Sequence, residues 1–339
     1  MLKFYWVDDQ EDKFREAKAL IEKPPGQRRK LANCELLNAS EDEDILLLVA
    51  KWAKMDRPDL LIIDHVFNKS KRRNQFKIAG STVAHILRRT WADVPMVCVT
   101  AMLKDTQARR THSNRESESQ YLELFQYELL SENLNHLHAI ARDFKKVVNT
   151  DFDQTGMKIV NLLDVPQGDK EVFLANLPAE FKEPKDSSTP HRLSRWILQV
   201  LMKFPGFLYS ELRTATLLGL SLEGFRKVSN NFEIALYTGP FANNDMPLWW
   251  VEPLRRIIYK LTPMDAPRQT WLAGRLISGI AQSDFSKCYV NRSPDDIPDT
   301  VANLPPRGQE HPVCSKFTKA NPSVISPPGF EQLRVIAES

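Results

Sequence analysis

Three short apolar segments in the first hundred residues each end in a polar residue, and this pattern constrains the fold more than any other feature. The polar residues are Asp8 with Asp9, Asp64, and Thr100, which follow residues 2–7, 59–63 and 94–99. Continuous apolar runs of this length are typical of buried parallel strands. The carboxyl ends of such strands share one edge of the sheet, where ligands bind. The sequence therefore predicts that three carboxylates and one hydroxyl converge at that edge, a set of hard oxygen ligands that suits Mg²⁺.

The segments between these strands have the periodicity of amphipathic helices. Apolar residues recur at helical spacing in residues 14–21, 45–52 and 83–87, and Ser40 with Glu43 forms a capping box for the second of these helices. Residues 31–37 predict a short second strand and residues 121–125 a fifth strand, and a last helical stripe extends from Leu134 to Val148. Strands that alternate with helices predict a doubly wound, five-stranded parallel α/β sheet over residues 1–148.

The remainder of the chain has a different pattern. Residues 149–190 predict a connector, with the clearest linker at residues 183–190. Residues 191–290 contain helical patterns without strands of comparable strength and predict a mainly α-helical output domain. Proline becomes frequent from residue 291 to residue 339, which predicts an extended tail.

Composition and cysteine usage limit the classes of protein to consider. The net charge of +3 neither requires nor excludes nucleic acid as a partner. The four cysteines form no CxxC pair, which indicates a reducing compartment and no structural zinc. The chain starts with a strand rather than a signal peptide, and no apolar run approaches the about 18 residues of a membrane span. We therefore expect a cytoplasmic protein that does not span a membrane.

The ordered acidic set resembles the receiver domain of two-component response regulators, over residues 1–148. This resemblance implies a receiver or flavodoxin-like fold in which Asp64 is the phosphoacceptor. It also implies that Asp9, Asp64 and the backbone carbonyl of Val66 bind Mg²⁺, with Asp8 acting through water, and that Thr100 contacts the phosphoryl group and acts as a switch. The carboxylate is the nucleophile in such a reaction, and the metal offsets charge on the transferring group.

The chain departs from the receiver pattern at the end of the fifth strand. Receiver domains carry a lysine there that pairs with the acceptor and the phosphoryl group. Aligning residues 121–123 with that strand places Leu124 at the lysine position, and Phe125 and Gln126 follow. The exchange removes a full charge from a site that has to hold a dianion, whereas metal binding does not depend on it. Lys104, or an arginine of the loop that follows it, is a candidate replacement.

Residues 214–228 resemble the core of a helix-turn-helix. Gly219 suits the turn and Ser221 suits the cap of the second helix. The outer face of that helix, which would meet the major groove, offers Ser221, Glu223, Arg226 and Lys227 as candidate DNA contacts. Gly224 inside the helix argues against this interpretation. The alternative is an ordinary corner between two helices.

The paired tryptophans Trp249 and Trp250 are a second unusual feature of this half. Tryptophans dominate binding hot spots, so this pair is a candidate anchor for a partner protein. The alternative is that both side chains fill a core beneath a turn.

These observations lead to three hypotheses. The first is a response-regulator-like phosphorelay protein, whose partners would be a histidine kinase or other signalling protein, possible target DNA, and a second copy of the chain in a homodimer. In it the chain is not an enzyme, apart from phosphoryl transfer onto its own Asp64. The second is a pseudo-receiver adaptor that acts only through protein–protein contacts and is never phosphorylated, which Leu124 favours. The third is a Mg²⁺-dependent, phosphatase-like enzyme.

Overall fold

The computed structural model divides the chain into two compact units. It describes residues 1–39, 45–65, 67, 80–100, 121–153, 155–182, 186, 188–243, 245–261, 270–290, 300–303, 310–321 and 326–337. The first unit comprises residues 1–154 and 183–198, and the second comprises residues 155–182 and 199–339. This division splits the predicted connector: residues 155–182 belong to the second unit, whereas residues 149–154 and 183–190 belong to the first.

The elements of the described residues are numbered in chain order. The strands are β1 (Leu2–Asp8), β2 (Ala32–Asn38), β3 (Leu60–Asp64), β4 (Met96–Thr100), β5 (Glu123–Gln126), β6 (Leu208–Ser210), β7 (Leu248–Trp250), β8 (Thr300–Asn303), β9 (His311–Cys314), β10 (Thr318–Ala320) and β11 (Arg334–Ile336). The α-helices are α1 (Glu11–Glu22), α2 (Ile45–Trp52), α3 (Gly80–Thr90), α4 (Leu134–Val148), α5 (Met157–Leu162), α6 (Lys170–Asn176), α7 (Thr189–Trp196), α8 (Glu211–Leu217), α9 (Leu222–Val228) and α10 (Val251–Leu261).

A five-stranded parallel sheet forms the centre of the first unit. Its strand order is β2-β1-β3-β4-β5, and each neighbouring pair is parallel. This is the doubly wound order 2-1-3-4-5, in which helices cover both faces of the sheet. The predicted fold class is therefore confirmed. The predicted capping box of Ser40 and Glu43 lies outside the described residues.

The two faces of the sheet bury different sets of side chains. On one face, Tyr5 and Val7 of β1 join a core with residues of α2 and α3. On the other face, the Trp6 ring packs against Phe14 of α1, and Phe4 packs against His138 of α4. Both faces are apolar, so β3 and β4 are buried in every position and apolar in all but the last, as the sequence pattern predicts.

The second unit is mainly helical and also contains short strand pairs. Strands β6 and β7, β8 and β9, and β10 and β11 each form an antiparallel pair of three or four residues. The sequence pattern does not predict these strands, because a strand of three or four residues is too short to show an alternation of apolar and polar positions. A core of residues from α8, α9 and α10 holds this unit together. Within the described ranges, no helix combines the length and apolar character needed to cross a membrane.

Candidate functional site

The carboxyl edge of the sheet brings together three of the predicted carboxylates. Asp8 is the last residue of β1 and Asp64 the last residue of β3, and these two strands are neighbours in the sheet. Asp9 follows directly. One carboxylate oxygen from each residue lies within 4.8 Å of the others. The three side chains are 1%, 4% and 7% exposed, so they are almost completely removed from water.

Local hydrogen bonds hold two of these carboxylates in place. The Trp6 indole N–H donates to Asp8 Oδ2 at 3.1 Å, and the Gln10 backbone N–H donates to Asp8 Oδ1 at 2.8 Å. The His65 backbone N–H donates to Asp64 Oδ1 at 2.8 Å. Each carboxylate is therefore oriented by the backbone or side chains of its own strand end.

The environment makes ionisation of these carboxylates costly. Burial, followed by the negative charge of Asp8, raises the pKa of Asp64 to about 7, although the positive charge of Lys13 and the His65 hydrogen bond oppose this. Burial also raises the pKa of Asp8, against the Trp6 and Gln10 hydrogen bonds. Desolvation and like charges both disfavour a charged carboxylate. Because the donors are hard oxygens held close together, the residues present fit a small divalent cation such as Mg²⁺.

Thr100 lies beside this acidic edge. It is the last residue of β4, the strand that pairs with β3 in a register that places Asp64 opposite Val99. The His65 backbone N–H also donates to the Val99 carbonyl at 3.3 Å, which ties the ends of the two strands together. Thr100 is buried. The predicted carbonyl ligand, Val66, and the candidate Lys104 lie outside the described residues.

The register of β5 shows where Leu124 lies relative to the acidic edge. Leu124 pairs with Cys98, two residues before the end of the strand, and packs against the core. Gln126 is the residue that pairs with Thr100 at the carboxyl end. The neutral side chain at the end of this strand is therefore that of Gln126, and the assignment of Leu124 to the lysine position stays a prediction. The strand as a whole, Glu123–Gln126, contains no lysine or arginine.

Gly80 supports the site in a way that the sequence analysis missed. It begins α3, and its backbone N–H donates to the His65 carbonyl at 2.9 Å. A Cβ at this position would lie 2.0 Å from the carbonyl oxygen of Asp64, so only glycine allows the helix to approach so closely. The glycine immediately before a predicted helix was the available signal.

In the second unit, the local structure of residues 214–228 follows the sequence pattern. Gly219 has φ +71° in the turn, and the Ser221 hydroxyl accepts from the Gly224 backbone N–H at 3.0 Å as the cap of α9. A Cβ on Gly224 would lie 2.4 Å from the Asp284 carbonyl oxygen, so a neighbouring turn covers this part of the helix.

The basic side chains proposed for DNA contact are engaged within the unit. Arg226 makes two hydrogen bonds to the Glu211 carboxylate, at 2.9 and 2.8 Å. Lys227 pairs with Asp284 at 2.6 Å. Glu223 is exposed on the same helix and carries a negative charge. The arrangement stabilises the corner between α8 and α9 and offers no unpaired cation among the four candidate residues.

The partner-binding interpretation of the paired tryptophans is corrected by their burial. Trp249 is 4% exposed and packs edge-on against Phe225, with the ring centroids 5.2 Å apart. Trp250 is 2% exposed and packs against Phe173 and Tyr237. Side chains so enclosed cannot anchor a partner without local unfolding. Both tryptophans therefore fill a core, as the alternative interpretation predicts.

Comparisons with known proteins give matches among solved structures. One is the response regulator protein TrrA from Thermotoga maritima in complex with Mg²⁺ and BeF, which is 20% identical to this chain with a TM-score of 0.28. The match covers 40% of this chain and 99% of the TrrA chain. A response regulator receiver domain protein from Clostridium thermocellum is 15% identical with a TM-score of 0.29, covering 44% and 99%. The receiver domain of the Francisella response regulator 1452 is 19% identical with a TM-score of 0.27, covering 41% and 97%. No family model and no curated protein matches the chain.

Proposed function

We propose that this chain is a response-regulator-like signalling protein whose Asp64 accepts a phosphoryl group. One observation carries the proposal: Asp8, Asp9 and Asp64 converge as buried carboxylates at the carboxyl edge of a 2-1-3-4-5 sheet, with Thr100 at the end of the adjoining strand. This edge is where doubly wound folds bind their ligands. The strand order is also that of receiver domains, and the site has the residue types that phosphoryl transfer to a carboxylate requires.

In the proposed reaction, an ionised Asp64 oxygen attacks the phosphorus of a phosphoryl donor. A new O–P bond forms, the bond from phosphorus to the leaving atom breaks, and that atom departs with the electron pair; it is the imidazole nitrogen of a kinase phosphohistidine or the carboxylate oxygen of acetyl phosphate. Asp8, Asp9 and Asp64 would hold Mg²⁺, which supplies positive charge against the carboxylates and the phosphoryl oxygens. The Trp6 and Gln10 hydrogen bonds keep Asp8 oriented. Thr100 would donate its hydroxyl hydrogen to a phosphoryl oxygen.

In this proposal the phosphoryl donor is a histidine kinase or another signalling protein. The chain catalyses only the transfer onto its own Asp64. For the output we favour a protein partner over DNA, because Arg226 and Lys227 are already paired with carboxylates in the second unit. Binding to DNA phosphates displaces the counterions condensed on the DNA, and the cations that do so are ones not already neutralised by carboxylates.

A second candidate function is a pseudo-receiver adaptor that is never phosphorylated. The absence of a lysine or arginine from β5 favours it, since Gln126 is neutral where it pairs with Thr100. The two functions share the fold and the metal site. They differ in whether Asp64 can be converted to an acyl phosphate.

Treatment of the full chain with acetyl phosphate and Mg²⁺, followed by intact mass measurement, tests the proposal. The expected result is a gain of one phosphoryl group that is lost in Asp64→Asn and in buffer with a chelator. Asp12→Asn is the matched control, since it removes the same charge from an exposed position of α1. If the wild type gains no mass while Mg²⁺ still binds, the adaptor function replaces the proposed one.

A further inference from the structure

Helix α1 brings a lysine towards the acidic edge that β5 leaves without a cation. The helix begins two residues after Asp9, and Lys13 is its third residue. The other basic residues of α1, Arg15 and Lys18, pair with glutamates one turn away in the same helix. The ammonium of Lys13 instead lies 5.7 Å from the centroid of the Tyr127 ring, in a cation–π arrangement.

Tyr127 holds Lys13 in place from the end of β5. It is the first residue after that strand, and its hydroxyl donates to the Lys13 backbone carbonyl at 3.0 Å. The Tyr127 ring also stands edge-on to the Trp6 ring, with centroids 6.5 Å apart and planes at 89°. Trp6 in turn donates to the Asp8 carboxylate. A continuous set of contacts therefore connects the lysine, the end of β5 and the acidic edge.

The charge of Lys13 acts on the site. Lys13 is the fourth residue after Asp9, and its ammonium lies on the ring of Tyr127 directly after the end of β5, so its positive field reaches this edge of the sheet. The same field favours any further negative charge that arrives at Asp64. A phosphoryl group brings such negative charge to Asp64. The ammonium of Lys13, already held in position, stabilises that charge without the cost of rearrangement.

We propose that Lys13, extended from α1 and packed on Tyr127, supplies the positive charge that holds the phosphoryl group on Asp64, in place of a lysine on the fifth strand. This inference rests on the proposed function and specifies which residue makes it work. Lys13 exchanges no proton in the transfer. It forms an ion pair with the phosphoryl oxygens while phosphorus moves from the leaving atom of the donor to the Asp64 oxygen.

The variant Lys13→Gln tests the proposal because two measurements should change in opposite directions. With Mg²⁺ alone, followed by calorimetry, removing a cation near three carboxylates should tighten binding about threefold. With acetyl phosphate and Mg²⁺, the rate of mass gain should fall about tenfold or more, because a charged donor to the phosphoryl group is lost. If Lys13 had only a structural role, the substitution would weaken both Mg²⁺ binding and labelling, and this result would overturn the proposal.

Four further variants sharpen the test. Lys18→Gln removes the same charge from the same helix at a residue that pairs with Glu22, and should leave both measurements within about twofold of the wild type. Lys13→Arg should retain most of the labelling rate. Adding Gln126→Lys to Lys13→Gln should restore labelling, since that position pairs with Thr100, whereas adding Leu124→Lys should not, because Leu124 packs in the core.

The outcomes separate this inference from the proposed function. If the wild type is labelled at Asp64 and Lys13→Gln is labelled at the same rate, the role of Lys13 is refuted and the proposed function stands. If the wild type binds Mg²⁺ and is not labelled, the proposed function fails, and the role of Lys13 fails with it. Faster labelling in Lys13→Gln would also overturn the inference.

Discussion

Replacing Asp64 by asparagine should stabilise the metal-free protein at pH 8. Burial beside Asp8 raises the pKa of Asp64 from 3.8 to about 7. A raised pKa means that the folded state holds a proton that the unfolded state releases between these two values. The stability contributed by this proton is fully present below pH 3.8 and is lost as the pH rises through about 7. At about 1.4 kcal/mol for each pKa unit, the loss is at most about 4 kcal/mol.

Asparagine keeps the shape of the side chain and removes this titration. In a chelating buffer, the free energy of unfolding of the wild type should fall by about 3–4 kcal/mol more between pH 4 and pH 8 than that of Asp64→Asn. Because the chain has two units, the suitable assay is hydrogen exchange of the amides in β1 and β3, which reports on the first unit alone. Mg²⁺ at pH 8 should stabilise the wild type and leave the variant almost unchanged.

The exposed Asp12→Asn variant should have the same pH dependence as the wild type. Two results would refute the reasoning. One is a difference between Asp64→Asn and the wild type that is the same at pH 4 and pH 8. The other is a wild type that is the more stable protein at pH 8 without metal, since this would mean that the folded state accommodates the charged carboxylate.

Three other substitutions test the packing described above. Gly80→Ala should destabilise the first unit by about 2 kcal/mol or more, measured by hydrogen exchange in β3, since its Cβ would overlap the Asp64 carbonyl. Gly224→Ala should destabilise the second unit by about 1–3 kcal/mol in urea unfolding, the reverse of the stabilisation expected at an exposed helical glycine, because the Asp284 backbone occupies the space. Trp250→Ala should lower the free energy of unfolding by about 3–5 kcal/mol in the same assay. An unchanged free energy of unfolding would mean that this side chain is not buried.

The fold of the first unit and its three carboxylates could be predicted from the sequence. Continuous apolar runs followed by Asp8, Asp64 and Thr100 specify buried parallel strands with polar ends. Parallel strands put those ends at a single edge whatever the details of the packing. The location of the site therefore follows from local patterns and one general property of sheets.

Which residue of β5 pairs with Thr100 depends on the register of that strand. Side chains alternate along a strand with a period of two, so a shift of two residues leaves the same faces buried and changes only what stands at the end. The apolar pattern of residues 121–126 fits both registers, so it does not show which residue of β5 pairs with Thr100. The pairing of Gln126 with Thr100 is set by hydrogen bonds to β4, which the sequence of one strand does not contain.

The remaining features depend on residues that are distant in sequence. Tyr127 reaches Lys13 across 114 positions, and Lys227 finds Asp284 across 57. Such contacts exist only after the helices have packed, because the reach of a side chain is small compared with the chain length between the partners. The order of apolar and polar residues is enough to specify the strands of the first unit, their buried faces and the acidic edge. Which charges stand beside that edge, and which pair elsewhere, depends on how the helices and strands pack.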